Sequence, residues 1–195
     1  MLQGVRDPWA AELFLIALVD ASADVRNKAV VGAGMMPDSR MAEPLIAALR
    51  DEDFLVRSSA AAALGLRREA KALESLCGAL TDAKPSVRSA ATAALQELGD
   101  ARATGPLIAV VNDSDSIVRG SVVTALGVLG DRQSVEPLVL ILKADSDRFV
   151  RAMAATSLGQ LKDSRAVDAL TAALTDDYGA VRDNAQRALA SIPRR

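Results

Sequence analysis

Six regularly spaced Val-Arg dipeptides are the part of this sequence best equipped for chemistry. They stand at Val25-Arg26, Val56-Arg57, Val87-Arg88, Val118-Arg119, Val150-Arg151 and Val181-Arg182. Each guanidinium offers five donors in a fixed fork, so a file of them could grip phosphates or carboxylates. Carboxylates accompany them. Asp20, Asp51, Asp82, Asp113, Asp145 and Asp176 each precede an arginine by six residues, with Asp145 displaced in the period by the single inserted residue of the fifth unit. Asp51-Glu52-Asp53 and Asp176-Asp177 are acidic enough for a cation, but solvated acids in turns are the simpler reading. Cys77 is the only cysteine and there is no histidine. Those counts exclude an intramolecular disulfide, a Ser-His-Asp or Cys-His site and an ordinary zinc site. The expectation is therefore no catalytic residue, no metal and no cofactor.

Charge narrows the partners. The net charge is -2 and both signs are spread along the chain. That is not the basic footprint nucleic-acid binding leaves, so none is expected. No run approaches the ~20 apolar residues of a membrane-spanning helix. Ala11 to Val19, followed by Ala21-Ser22-Ala23, has some features of a signal peptide, but Asp7 and Glu12 interrupt it. The expected location is cytoplasmic.

The elements that position the arginines follow from the period. Successive Val-Arg pairs are 31, 31, 31, 32 and 31 residues apart. A second acidic column, Asp7, Asp38, Glu69, Asp100, Asp131 and Asp163, keeps the same phase. Half of the residues are apolar but only five are aromatic, so Ala, Leu and Val must form the core, and Ala and Leu are good helix formers. Each unit reads as two helices. The first follows its acidic N-cap, as in Asp7-Pro8, and carries apolar residues at helical spacing, such as Leu45, Ile46 and Leu49. Pro44, Pro106 and Pro137 fall in its first turn, where proline is tolerated. Cys77 shares a first-helix column with Ile46 and Ile108 and reads as a small buried hydrophobe. The second helix carries Val-Arg, with Asp53, Asp115 or Asp147 three residues before it. The units are 7–37, 38–68, 69–99, 100–130, 131–162 and 163–195, stacked as one domain over 1–195 because a lone helix pair cannot bury its apolar face. Trp9, Phe14, Met35 and Met36 thicken the first unit, while Gln186, Arg187 and Arg194-Arg195 make the last more polar.

Asp-x-x-Val-Arg, Ala-Leu-Gly (Ala63-Leu64-Gly65, Ala125-Leu126-Gly127), Leu-Gly-Asp and Pro-Leu-Ile carry a resemblance over essentially the whole chain. The chain resembles the short HEAT-like repeat proteins of the phycobilisome-lyase type. The resemblance implies an all-α fold, a right-handed α-solenoid (an alpha-alpha superhelix) of six two-helix HEAT-like repeats. It also implies that the second helices line a concave groove and that the arginines and aspartates form a structural ladder between repeats.

The groove columns then name the candidate site: Phe54, Leu55, Ser58, Ser59 and Ala62; Ser89, Ala90 and Ala93; Ile117, Gly120, Ser121 and Thr124; Phe149, Met153 and Thr156. Asn27, Lys28 and Val31 begin the same columns, and Asp183, Asn184 and Arg187 end them. Small residues beside apolar anchors suit a helix or extended segment of another protein, which can approach closely. The expected function is a non-catalytic protein-binding scaffold or adaptor. A homodimer is a further form such a surface could support. Two other classes follow from the resemblance: a bilin lyase subunit or chromophore-handling protein, and nucleic-acid binding, for which few aromatics and near-neutral columns are poor material.

Overall fold

The computed structural model describes residues 8–193, all of them in helices or the turns between. Asp7, the first expected cap, and Arg194-Arg195 lie outside the described residues. The chain divides into two compact units, Met1–Leu98 and Gly99–Arg195, each holding three helix pairs. In the first unit the pairs are α1 (Pro8–Ala17) with α2 (Ala23–Met35), α3 (Ala42–Ala48) with α4 (Phe54–Leu66), and α5 (Leu73–Ala79) with α6 (Pro85–Leu98). In the second they are α7 (Thr104–Ala109) with α8 (Ser116–Leu129), α9 (Val135–Ala144) with α10 (Arg148–Leu161), and α11 (Val167–Ala173) with α12 (Gly179–Ser191). Within each unit the second helices pack side by side, α2 on α4 on α6 and α8 on α10 on α12, and each first helix lies on its own partner.

The acidic columns cap as expected, with one refinement. Asp38, Asp100, Asp131 and Asp163 each cap a single 3-10 turn that leads into the first helix, accepting from the amide two residues on. Glu69, at the same column, makes no such bond. Asp53, Asp115 and Asp147 cap α4, α8 and α10 directly, a bond typically worth about 1 kcal/mol. The prolines sit inside the first turns of α3, α7 and α9 without breaking them.

Periodicity becomes packing through a few columns. Leu45, Leu76, Leu107, Leu138 and Leu170, one per first helix, are fully buried, as are Leu64, Leu95, Leu126 and Leu158 on the second helices. Each such leucine contributes about 1.5–3 kcal/mol of burial. Phe14 fills the matching place in the first pair and lies over Gly32. Trp9 and Met35, expected to thicken that pair, are instead exposed at 76% and 72%. Cys77 is half-buried, not buried. Neighbouring second helices come close together at glycine. A Cβ on Gly65 would stand 2.7 Å from Ala94 Cα, and one on Gly159 3.0 Å from Ala188 Cα.

The column that ends the second helices takes left-handed backbone, with Gly99 at φ +66° and Gly130 at φ +74°. Arg68 and Lys162 adopt the same conformation at φ +48° and +50°, where a side chain costs on the order of 1 kcal/mol relative to glycine.

Candidate protein-binding face

The arginines point to the loop edge and are engaged there. Arg26 Nε and Nη2 donate to the two carboxylate oxygens of Asp51, each at 2.7 Å. Arg57 holds Asp82 at 2.7 and 3.0 Å, Arg119 holds Asp145 at 2.7 and 2.8 Å, and Arg151 holds Asp176 at 2.9 and 3.0 Å. The aspartate six residues earlier contributes its backbone carbonyl: Asp20 to Arg26, Asp51 to Arg57, Asp82 to Arg88, Asp113 to Arg119 and Asp176 to Arg182. The forks of Arg26, Arg57, Arg119 and Arg151 thus bind their own loops and the carboxylate of the following repeat.

The carboxylates turn back on the loops as well. Asp51 and Asp82 accept from the amides of Asp53 and Lys84, and Asp20 accepts from Ser22. The arginine pairs lower the proton affinity of Asp51 and Asp82 below the usual carboxylate range, and Asp176 beside Arg151 falls to about 2. Asp145 is lowered too, against an opposing burial effect, by Arg119 and the Asp147 amide. Forks satisfied in this way hold repeats together.

The other side of the second helices carries a different chemistry. In the first unit Leu55 is 52% exposed, Ala62 and Ala93 are exposed, and Ser58, Ser59, Ser89 and Ala90 are half-buried. Phe54 is half-buried beneath the Lys84 ammonium, 5.4 Å from its ring centre. In the second unit Ile117 is 73% exposed, Phe149 51% and Met153 42%. Thr156 is exposed, and Ser121 and Thr124 are half-buried. Gly120, expected in the groove, is buried: a Cβ there would meet Met153 Sδ at 2.9 Å, so the methionine lies over it. Asn184, at the end of the columns, bonds the Ala152 carbonyl across to α10.

The hydroxyls make this face less polar than its composition suggests. Ser121, Thr124 and Thr156 each donate to the carbonyl four residues back, at 2.9, 2.9 and 3.2 Å. A hydroxyl turned onto its own helix presents mostly carbon outward. Sequence reasoning missed Leu66 and Val128, exposed at 68% and 52%. The signal was available, because each continues an i, i+4, i+7, i+11 stripe, Leu55-Ser59-Ala62-Leu66 and Ile117-Ser121-Thr124-Val128. It also missed Tyr178, whose ring meets Phe149 edge-on at 5.4 Å under the Arg148 guanidinium. No sequence spacing pointed to that cluster, since its members come from different repeats.

Comparison with known proteins bears on the fold. No curated protein matches the chain in sequence. Among solved structures, an engineered protein aligns with a TM-score of 0.71 at 22% identity, over 93% of this chain and 95% of its own. A designed armadillo repeat protein in complex with the peptide (KR)4 aligns at 0.69 and 19% identity, over 93% and 98%. The complex of CpcE and CpcF of phycocyanin lyase from Nostoc aligns at 0.53 and 21% identity, over 93% and 94%. These likenesses put the fold among the α-solenoids. The family model for HEAT repeats matches residues 10–96, 45–127 and 104–190. Its matches reach across nearly every described residue, and the chain belongs to the HEAT repeat family.

Proposed function

We propose that this protein is a non-catalytic scaffold whose second helices bind an apolar helix or extended segment of another protein. The observation that carries this reading is the stripe on α8 and α10. Ile117, Phe149 and Met153 stand exposed beside Ser121, Thr124 and Thr156, whose hydroxyls are turned inward. A solvated helix face would carry Lys and Glu at these positions, whereas apolar anchors among small side chains let a partner backbone come close. A similar solenoid, the designed armadillo repeat protein, was solved with a peptide bound, which supports a peptide-like ligand. The face described here is nearly neutral and calls for an apolar segment. We read all six repeats as one array, with a matching stripe on α4 and α6.

The test is charge reversal by position. Proteins captured from a lysate by the wild type are compared with those captured by Ser121→Glu and Ala90→Arg, made separately. The expected result is folding kept within about 0.5 kcal/mol, the usual range for surface changes, and the captured partner lost. Arg40→Glu, on the first-helix side, should leave capture intact. Retention of every partner by both groove variants would move the binding surface elsewhere. Unfolding of both would make these positions core. A bilin absorbance change on mixing with pigment would instead favour the chromophore-handling class.

A further inference from the structure

Two cations occupy a place where this repeat otherwise uses glycine. Arg68 and Lys162 end α4 and α10 in left-handed backbone, at the column that holds Gly99 and Gly130 in the repeats between them. A side chain is disfavoured there by the backbone, although a cation suits the negative end of the helix. In the first unit the cation has an acidic neighbour: Arg68 Nη2 lies 3.4 Å from Glu97 Oε2. In the second unit the residue matching Glu97 is Ser191, both standing ten residues after a Val-Arg valine. A neutral hydroxyl therefore stands where the acid would be, and that hydroxyl is bonded to the Gly159 and Ala188 carbonyls.

Lys162 borders a cavity of about 430 Å³ together with Arg132, Asp163, Arg165, Ile192 and Pro193. Three cations meet one lining carboxylate there, Asp163, and a second, Glu136, stands just outside the lining with its Oε1 4.0 Å from Arg165 Nη1. Asp163 accepts from the Arg165 amide and Nε at 3.0 Å each and from Arg165 Nη2 at 2.9 Å, while Arg132 Nε stands 3.9 Å away. Two carboxylates against three cations leave one positive charge in excess, and the Arg132 side chain is 79% exposed.

We propose that this cavity is an oxyanion-binding site in which Lys162, Arg132 and Arg165 hold a phosphate or carboxylate group. The missing acid of the second unit is then supplied by a ligand, with Arg165 already oriented by Asp163 and by its bond to the Arg132 carbonyl at 3.0 Å.

The test is a titration followed by amide NMR at constant ionic strength, with inorganic phosphate in one series and a capped tetraglutamate peptide in another. Saturable shifts at Lys162–Arg165 are expected, and the tighter of the two probes identifies the source of the anion. Lys162→Gly should weaken binding by about tenfold, as expected for loss of a charge-assisted contact, while the melting temperature stays the same or rises because glycine suits the backbone. Arg132→Gln provides a second variant at an exposed position and should weaken binding as well. Arg68→Gly, the matching change in the first unit, should leave affinity untouched. The proposal is overturned if neither probe gives a saturable shift there, if both cavity variants bind as the wild type does, or if Arg68→Gly weakens binding equally.

Discussion

The loop edge of the repeats and the exposed side of their second helices obey opposite rules. Along the edge, Arg26, Arg57, Arg119 and Arg151 reproduce one geometry, a fork on the carboxylate of the following repeat with distances between 2.7 and 3.0 Å. On the exposed side, the column three residues after each Val-Arg valine runs Lys28, Ser59, Ala90, Ser121, Met153 and Asn184. The edge must satisfy the largely buried donors of Arg26, Arg57, Arg119 and Arg151 in the same way, so its residues hardly vary. The exposed side carries fewer such obligations, the bond of Asn184 to the Ala152 carbonyl among them, so its residues are freer to differ. Repetition here marks structure, and departure from it marks candidate function.

Acidification should break the edge most completely, because it reaches every rung at once. Asp51, Asp82, Asp145 and Asp176 have folded-state proton affinities below those of the unfolded chain, with Asp176 at about 2 against about 3.9 for a free aspartate. Their contribution is therefore present above pH ~4 and is lost as pH falls towards and through ~2. Thermal melts across that window should show a steep fall, and Asp82→Asn should flatten it. A melting temperature independent of pH between 4 and 2 would mean the pairs contribute nothing.

A single rung comes next. Arg57→Ala strands Asp82, and both side chains are mostly buried, at 15% and 13% exposure. The expected loss is about 3 kcal/mol by denaturant unfolding, in the range for breaking a buried pair. Arg102→Ala removes an arginine whose side chain is 73% exposed, and should cost less than about 1 kcal/mol. Equal losses would erase the distinction between a ladder arginine and a surface one.

Glycine sharpens the comparison further, because one substitution should change sign with position. Gly65→Ala drives a methyl against the Ala94 backbone and should destabilise by about 1–3 kcal/mol. Gly78→Ala, on α5 with nothing within 4 Å of the added carbon, should stabilise by about 0.5–1 kcal/mol. The smallest stability effect belongs to the proposed binding side. Leu66→Gln and Val128→Gln, at exposed positions, should stay within about 0.5 kcal/mol while reducing partner capture. If either unfolds the chain, those residues are core and the stripe is shorter.

The sequence alone determined the helix pairs, their number and the spacing of the arginines and aspartates along them, because each rests on local rules repeated at a fixed period. A cap needs an acid at one offset, a buried leucine recurs at helical spacing, and the inserted residue in the fifth repeat left Asp145 able to bind Arg119. The matching family model and solenoid neighbours agree with that reading. What only the tertiary structure decided were the relations across repeats. Gly120 left the exposed face because Met153, from the next second helix, lies over it. Phe149 gained Tyr178 and Arg148 as neighbours. Lys162 proved to be the left-handed cation whose counterpart acid is a serine. Periodicity specifies what each position repeats, but whether a side chain is covered depends on which neighbour's atoms reach it, and that distance is set by packing in three dimensions.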